Sequence, residues 1–326
     1  MSSTIPTTMQ AAVLDVFGSA NELKIRTVPV PQIDSEEVLI KIEYAGVGSW
    51  DPFEREGGYA QMQGTKPAFP YILGSEGAGK IVKVGSKVTR LRVGDRVYGV
   101  GFLNPKGGFY SEYVALDAGL VSPIPSQLSV EQAAAMPGVG LTALRGLTDI
   151  LHLTPEETIL IFGASGAMGH VAVQLAKRIG SRVVALASGE DGVALAERAR
   201  ADLALNGRNE SASVIEKVTE FAPEGVDKIL LTAGGDNFEA LFSSLCKDGL
   251  VAYPTGIIPE PKSSQDVNIQ VFNGEPDRSL IKRLNELVGS EAFYVHIDHI
   301  YSLEEVSQAH SALTRHHLGK VLLRVS

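Results

Sequence analysis

The chain has 326 residues, 44% apolar and 21% charged, with a formal net charge of −9 and one cysteine, Cys246. That length predicts about two domains with full cores. The acidic balance, with no Lys/Arg run, excludes a nucleic-acid backbone binder, and a lone thiol excludes an internal disulfide and agrees with a reducing compartment.

The most apolar window, 158–176, is broken by Ser165, His170, Gln174 and three glycines, too interrupted for a membrane helix. The polar start, 1–10, has neither the charged nor the apolar region of a leader, so a cytoplasmic protein is expected, with no membrane partner.

Up to about residue 127 short runs alternate with period two: Val38, Ile40, Ile42 and Tyr44; then Ile81, Val82 and Val84; then Val97, Tyr98 and Val100; then 109–114. Glycines and prolines separate them, which predicts a small antiparallel barrel or sandwich. A short helix is expected at 50–56, followed by a loop at 57–66. The run 74–80 has glycines five apart and then a lysine, like a phosphate-cradling loop. It enters an alternating strand at Ile81, so it lacks the hydroxyl and helix such a loop needs.

At Ser129 the period turns helical: Ser129 is the expected N-cap and Gln132 its capping-box partner. From Ile159 strands near 159–162, 182–187, 227–232, 249–253 and 268–272 alternate with helices near 166–179, 190–200, 211–221 and 236–245. That is the rhythm of a doubly wound parallel sheet. Helices at 277–288 and 303–314 and a strand at 320–325 close the chain.

The most informative stretch is Ile159-Leu160-Ile161-Phe162-Gly163-Ala164-Ser165-Gly166-Ala167-Met168-Gly169. An ordinary strand-to-helix turn also carries glycines. Here the whole strand, turn, helix, strand unit is present, and a pyrophosphate needs close backbone N–H groups at a helix N-terminus. Gly163, Ser165, Gly166, Ala167, Met168 and Gly169 are therefore candidate cofactor contacts.

Further motifs fall in a fixed order: Gly74-Ser75-Glu76-Gly77-Ala78-Gly79 with Val84-Gly85, Gly94-Asp95-Arg96-Val97-Tyr98-Gly99, Gly108-Phe109-Tyr110-Ser111-Glu112-Tyr113, Ala134 to Pro137 with Thr142-Ala143, the dinucleotide turn, and Gly319-Lys320-Val321. Over nearly the whole chain this set resembles the medium-chain dehydrogenase/reductase superfamily, most of all its zinc-free quinone oxidoreductase (zeta-crystallin-like) branch. The resemblance implies an α/β protein: a GroES-like β-barrel catalytic domain over 1–127 and 274–326, and a Rossmann doubly wound parallel-sheet domain over 128–273 that binds a nicotinamide cofactor.

Catalytic zinc needs three Cys, His or carboxylate ligands, and structural zinc usually four thiolates. The first histidine is His152 and the only cysteine Cys246. The resemblance puts a His of zinc-dependent members at Ser75 and a Cys at Gly48, so both ligands are gone. His316-His317 and His296 with His299 read as solvated or core-packed, and no metal is expected.

The second strand of the unit ends at Ala187-Ser188-Gly189, with Ser188 where an NAD-specific fold would place an acid on the ribose. A serine can donate to a 2′-phosphate, so NADPH is expected, with NADH possible. Arg208, just after the third strand, is the candidate counter-charge, whereas Arg198 and Arg200 read as solvated helix residues. The chain departs from many relatives in carrying Gly192 for a phosphate-binding Lys and Gly207 for a Tyr. The resemblance puts Thr142 at the nicotinamide. Thr232, Ala233, Tyr253 and Thr255 lie at or just past strand ends, where open α/β sheets bind ligands.

Without a metal to polarise an alcohol, reduction of an electron-poor acceptor is the easier chemistry. A quinone or α,β-unsaturated carbonyl is the expected small-molecule substrate, needing orientation and a donor to the developing oxyanion. Tyr59 is the candidate donor, since its step from the helix at 50–56 resembles that of the proton-donating tyrosine of 2-enoyl thioester reductases; otherwise it is a packing residue of the loop. Trp50 and Phe102, with Tyr59, line an acceptor pocket or simply pack in the core.

Two alternatives stay open. Enoyl-thioester reduction would want a basic entrance for coenzyme A phosphates, and the first 127 residues show no basic cluster. A cofactor-binding structural protein with little catalysis would fit Gly48, which replaces an asparagine frequent in active relatives. A homodimer is expected through the sheet-edge strand 268–272.

Overall fold

A computed structural model describes residues 4–235, 238–262, 267–290 and 292–326. The chain divides into two compact units. The first comprises Met1–Gly138, Pro276–Ile281 and Ile297–Ser326, and the second Val139–Glu275 and Lys282–His296. The barrel unit thus runs past 127, to the end of the capped helix, and residues 282–296 go with the parallel sheet.

The first unit opens with β1 (Thr8–Leu14), β2 (Lys24–Pro29), β3 (Glu37–Val47), α1 (Asp51–Arg55), α2 (Gly58–Gln63), β4 (Tyr71–Ile72), β5 (Glu76–Val84), β6 (Arg96–Val100), β7 (Tyr113–Asp117), β8 (Val121–Pro123) and α3 (Val130–Ala135). The alternation in β3 works on both faces. Val38, Ile40 and Ile42 enter one apolar cluster with Leu14, Leu73 and Val97, while Leu39 enters another with Met9, Ala11 and Val13. Such two-sided burial is what a central strand of a closed sheet requires. The capping box before α3 is formed as expected, with the Gln132 N–H donating to Ser129 Oγ at 3.3 Å and the Ser129 N–H to Gln132 Oε1 at 3.2 Å.

After α4 (Pro137–Arg145), whose first two residues still belong to the first unit, the second unit holds β9 (Thr158–Phe162), α5 (Gly169–Ile179), β10 (Arg182–Ala187), α6 (Gly189–Arg198), β11 (Leu203–Asn206), α7 (Ser211–Phe221), β12 (Val226–Leu231), β13 (Leu245–Pro254) and β14 (Asn268–Phe272). All pairings are parallel and the order is β11-β10-β9-β12-β13-β14. Winding reverses between β9 and β12, so the ligand crevice expected of such a sheet lies beyond the ends of those two strands. As expected, β14 is an edge strand. The chain closes with α8 (Arg278–Ser290), β15 (Ile297–Ser302), α9 (Val306–Ala312) and β16 (Lys320–Arg324), of which β16 pairs with β3 in the first unit.

Several expected elements differ in detail. The loop at 57–66 contains α2, which runs between two left-handed glycines, Gly57 at φ 85° and Gly64 at φ 62°. The strand expected at 109–114 begins only at Tyr113, because the Phe109 and Tyr110 N–H groups donate to Gly74 and Leu73 carbonyls rather than to a ladder. The helix expected at 236–245 is a 3₁₀ segment over Phe238–Ser244, with 236 and 237 outside the described residues. Leu303–Glu305 is likewise 3₁₀ and precedes the shorter α9.

Candidate functional site

In the second unit the three glycines of the turn do different work. Gly163 sits at φ 82°, a conformation that favours glycine, and its backbone N–H donates to Leu186 O. A Cβ at Gly169 would lie 2.1 Å from Gly163 O and 2.7 Å from Ala164 Cα, so that glycine lets α5 pack on the end of β9. At Gly166 a Cβ would meet only Gly163 O, at 3.4 Å, leaving open space beside the first turn of α5. Apart from the His170 N–H, which donates to Gly166 O at 3.3 Å, the first N–H groups of the helix have no intrahelical acceptor, and the dipole favours an anion there. Open backbone at a helix start fits a pyrophosphate.

Around this turn the structure gathers most of the expected contacts. Thr232 donates to Phe162 O at 2.7 Å, and both Thr232 and Ala233 stand where a Cβ on Gly163 would go. Ser165 Oγ accepts from the Ser188 N–H at 3.1 Å, linking the turn to the end of β10. Arg208 Nε donates to Ser188 Oγ at 2.8 Å, so the serine and arginine expected at a 2′-phosphate are in fact partners. A side chain at Gly192 would strike Ser165 Cβ at 2.8 Å, which accounts for the missing lysine there.

Other expected contacts are not brought to this cluster. Tyr253 is buried in the apolar core of the sheet, and the Thr255 hydroxyl donates to Asn273 Oδ1 at 2.8 Å. Thr142 Oγ1 lies 2.1 Å from where a Cβ on Gly274 would stand. Ala167 and Met168 lie within the turn itself, Met168 as the buried residue before α5. Arg198 is not simply solvated: its guanidinium lies over the Tyr294 ring, 3.9 Å from the centroid.

In the first unit Trp50 and Phe102 meet edge to face at 5.6 Å. Tyr59, on α2, packs edge-on against Phe53 at 4.9 Å. Burial, with the Glu54 and Asp51 carboxyls near it, pushes its hydroxyl up to about 12. The Lys320 ammonium lies over the Trp50 indole, 4.5 Å from a ring centroid.

Two polar networks lie beneath these aromatics that linear reading misses. Lys320 pairs with Glu76 at 2.5 Å, both fully buried, and Glu76 Oε2 accepts from the Gly138 N–H at 2.6 Å. Asp51 Oδ2 accepts from Tyr110 Oη and from the Gly48 N–H, both at 2.7 Å. Tyr110 Oη in turn lies 3.2 Å from His310 Nε2, and Arg55 lies 3.2 Å from His310 Nδ1. Burial pushes Asp51 up to about 6 and, together with the Asp51 charge, Glu54 up to about 7.

Glu54 accepts from Tyr71 Oη at 2.6 Å through one oxygen, while Oε2 is buried without a partner among the described residues. Because its folded-state pKa is raised, the folded state binds more protons than the unfolded one between the ordinary glutamate value of 4.5 and about 7. Stability from this group therefore falls as pH rises through that window. Glu54→Gln keeps the bond from Tyr71 and removes the charge. It is expected to be about 2 kcal/mol more stable than the parent at pH 8 and equal to it near pH 4.5, measured by denaturant unfolding.

The arrangement matches known proteins along its length. Residues 34–126 match the alcohol dehydrogenase GroES-like domain and 167–271 the zinc-binding dehydrogenase family. An alcohol dehydrogenase of Geobacillus stearothermophilus is 34% identical over 284 residues, covering 78% of this chain and 80% of that protein. The quinone oxidoreductase of Mus musculus is 30% identical over 337 residues, 96% of each. A mycobacterial protein solved in complex with NADPH superposes with a TM-score of 0.82 at 27% identity, covering 97% of this chain and 100% of that one.

A GroES-like barrel joined in sequence to a parallel sheet with a glycine turn defines a dehydrogenase/reductase fold. The chain belongs to the medium-chain dehydrogenase/reductase superfamily and is an oxidoreductase of that family. Among the described residues no helix is long and apolar enough to cross a membrane.

Proposed function

We propose that the chain is a zinc-independent, NADPH-dependent reductase of quinones or α,β-unsaturated carbonyls. The observation that carries this reading is the Ser188–Arg208 pair at the end of β10, a hydroxyl and a guanidinium in place of an acid. Arg208 would neutralise a 2′-phosphate and Ser188, already accepting from Arg208, would turn its proton to it. The open turn at Gly166 would take the pyrophosphate. When bound, the nicotinamide supplies a hydride.

Zinc independence is supported by what fills the ligand positions. A Cβ at Gly48 would overlap the Trp50 indole at 2.4 Å, Ser75 offers a hydroxyl, and the carboxylate of Glu76 is committed to Lys320. Neutral oxygen and indole are poor zinc donors, and breaking a buried ion pair costs several kcal/mol, about 3–5. With no Lewis acid built in, the side chains favour acceptors that delocalise charge themselves. Trp50 and Phe102 would orient a flat apolar acceptor and Tyr59 would supply a proton.

One assay tests the reading: steady-state rates with quinones, enones and secondary alcohols, using NADP(H) or NAD(H), in a zinc chelator. Chelator-resistant reduction of quinones or enones, with higher kcat/KM for NADPH than NADH, is expected. A preference for NADH, or activity confined to alcohols and lost in chelator, would overturn it.

We also propose a homodimer through β14. It is an edge strand whose Val271 is 56% exposed, and an unpaired apolar edge invites a second strand. Pairing with its symmetry mate closes a two-fold assembly. Sedimentation at micromolar concentration should give twice the chain mass, and Val271→Lys should shift it toward monomer; a monomeric parent would reject the proposal.

A further inference from the structure

In the turn that would hold the pyrophosphate, the Gly166 carbonyl accepts a long bond from the His170 backbone N–H, 3.3 Å, and Gly166 has no side chain to restrain the peptide that follows it. Directly after the turn stands His170, fully buried in the first turn of α5. Its Nδ1 lies 2.8 Å from Gly166 O, and its Nε2 lies 3.0 Å from the backbone nitrogen of His296. A backbone N–H can only donate, so Nε2 carries the lone pair and Nδ1 carries the proton, which it gives to Gly166 O. Burial holds the ring neutral, with its pKa down at about 4.

The consequence lies on the other side of the peptide. In a trans peptide the C=O and the following N–H point in opposite directions. A carbonyl of Gly166 fixed toward His170 therefore turns the Ala167 N–H away from the ring. If the peptide flipped, the carbonyl oxygen would take the place of that donor and repel a phosphate.

We propose that His170 is a positioning residue for the cofactor, latching the 166–167 peptide so that the Ala167 N–H is presented to the pyrophosphate. This rests on the NADPH reading above. The ring is held from behind. Gln174, one turn later, donates to His170 O at 3.0 Å and to Tyr294 O at 2.8 Å and accepts from the Tyr294 N–H at 3.1 Å. The segment 294–296 is thereby clamped to α5 and supplies the His296 N–H that sets the tautomer.

Two substitutions separate the latch from the clamp. In His170→Asn the side-chain amide replaces Nδ1 and can still donate to Gly166 O, but nothing reaches the His296 N–H. In His170→Gln the side-chain carbonyl can accept from His296, and the side-chain bond to Gly166 O is lost, leaving that oxygen the longer bond from the backbone N–H of residue 170. Both lose one buried hydrogen bond, so a merely structural role predicts equal effects.

The latch predicts that Kd for NADPH, by nicotinamide fluorescence titration, rises about tenfold or more in the Gln variant and less than about threefold in the Asn variant. Adenosine 2′-monophosphate, which has no pyrophosphate, should compete equally well against all three proteins. Equal NADPH affinities in the two variants, or a parallel loss of adenosine 2′-monophosphate binding, would overturn the inference while leaving the cofactor reading intact. A parent protein that fails to bind NADPH would overturn both.

Discussion

Gly166→Val is expected to raise Kd for NADPH at least about 100-fold while leaving the melting temperature within about 3 °C of the parent. The folded chain has room for the first carbon, since a Cβ there meets only Gly163 O at 3.4 Å. The branched methyls would then stand in the open space beside the start of α5, where a bound anion must approach the backbone. Gly169→Ala is the contrast. Its Cβ would lie 2.1 Å from the Gly163 carbonyl oxygen, so it should damage the fold as well as binding. Titration and thermal melts of both variants check this, and normal NADPH affinity in Gly166→Val would show that the turn is not the site.

What was legible in the sequence was what is local. The turn, the capping box at Ser129 and the edge position of 268–272 follow from neighbours in the chain and from the rhythm of strands and helices. The partnership of Ser188 with Arg208 was within reach because adjacent parallel strands end at the same side of the sheet. The buried polar networks were not. Arg55 and His310 are 255 positions apart and Asp51 and Tyr110 are 59 apart, and a buried acid gives no periodic signal of its own. α2 was hidden for another reason: six residues between two glycines are too few to show a helical repeat. His170 carries no signal of its own in the sequence because it lies on the buried face of α5, and only the tautomer set by a residue 126 positions away gives it a task.

Tyr59→Phe is expected to lower kcat for enones by about 10²-fold or more while changing quinone rates by less than about threefold. The asymmetry comes from proton affinity. Burial and the nearby carboxyls of Glu54 and Asp51 hold the Tyr59 hydroxyl at about 12, so it keeps its proton at neutral pH and gives it only to a stronger base. The enolate left by hydride addition to an enone is such a base. A reduced quinone is a phenolate, whose affinity is near the ordinary tyrosine value of about 10, so transfer from Tyr59 would run uphill, and the product takes its proton from the buffered solvent, which at neutral pH lies well below that value. The substitution keeps the ring and its edge-on contact with Phe53, so packing and acceptor orientation should survive. Steady-state rates on one enone and one quinone decide the matter. An enone-selective loss marks proton transfer, and near-parent rates on both acceptors would take Tyr59 out of the mechanism and leave orientation of the acceptor as the barrel unit's contribution.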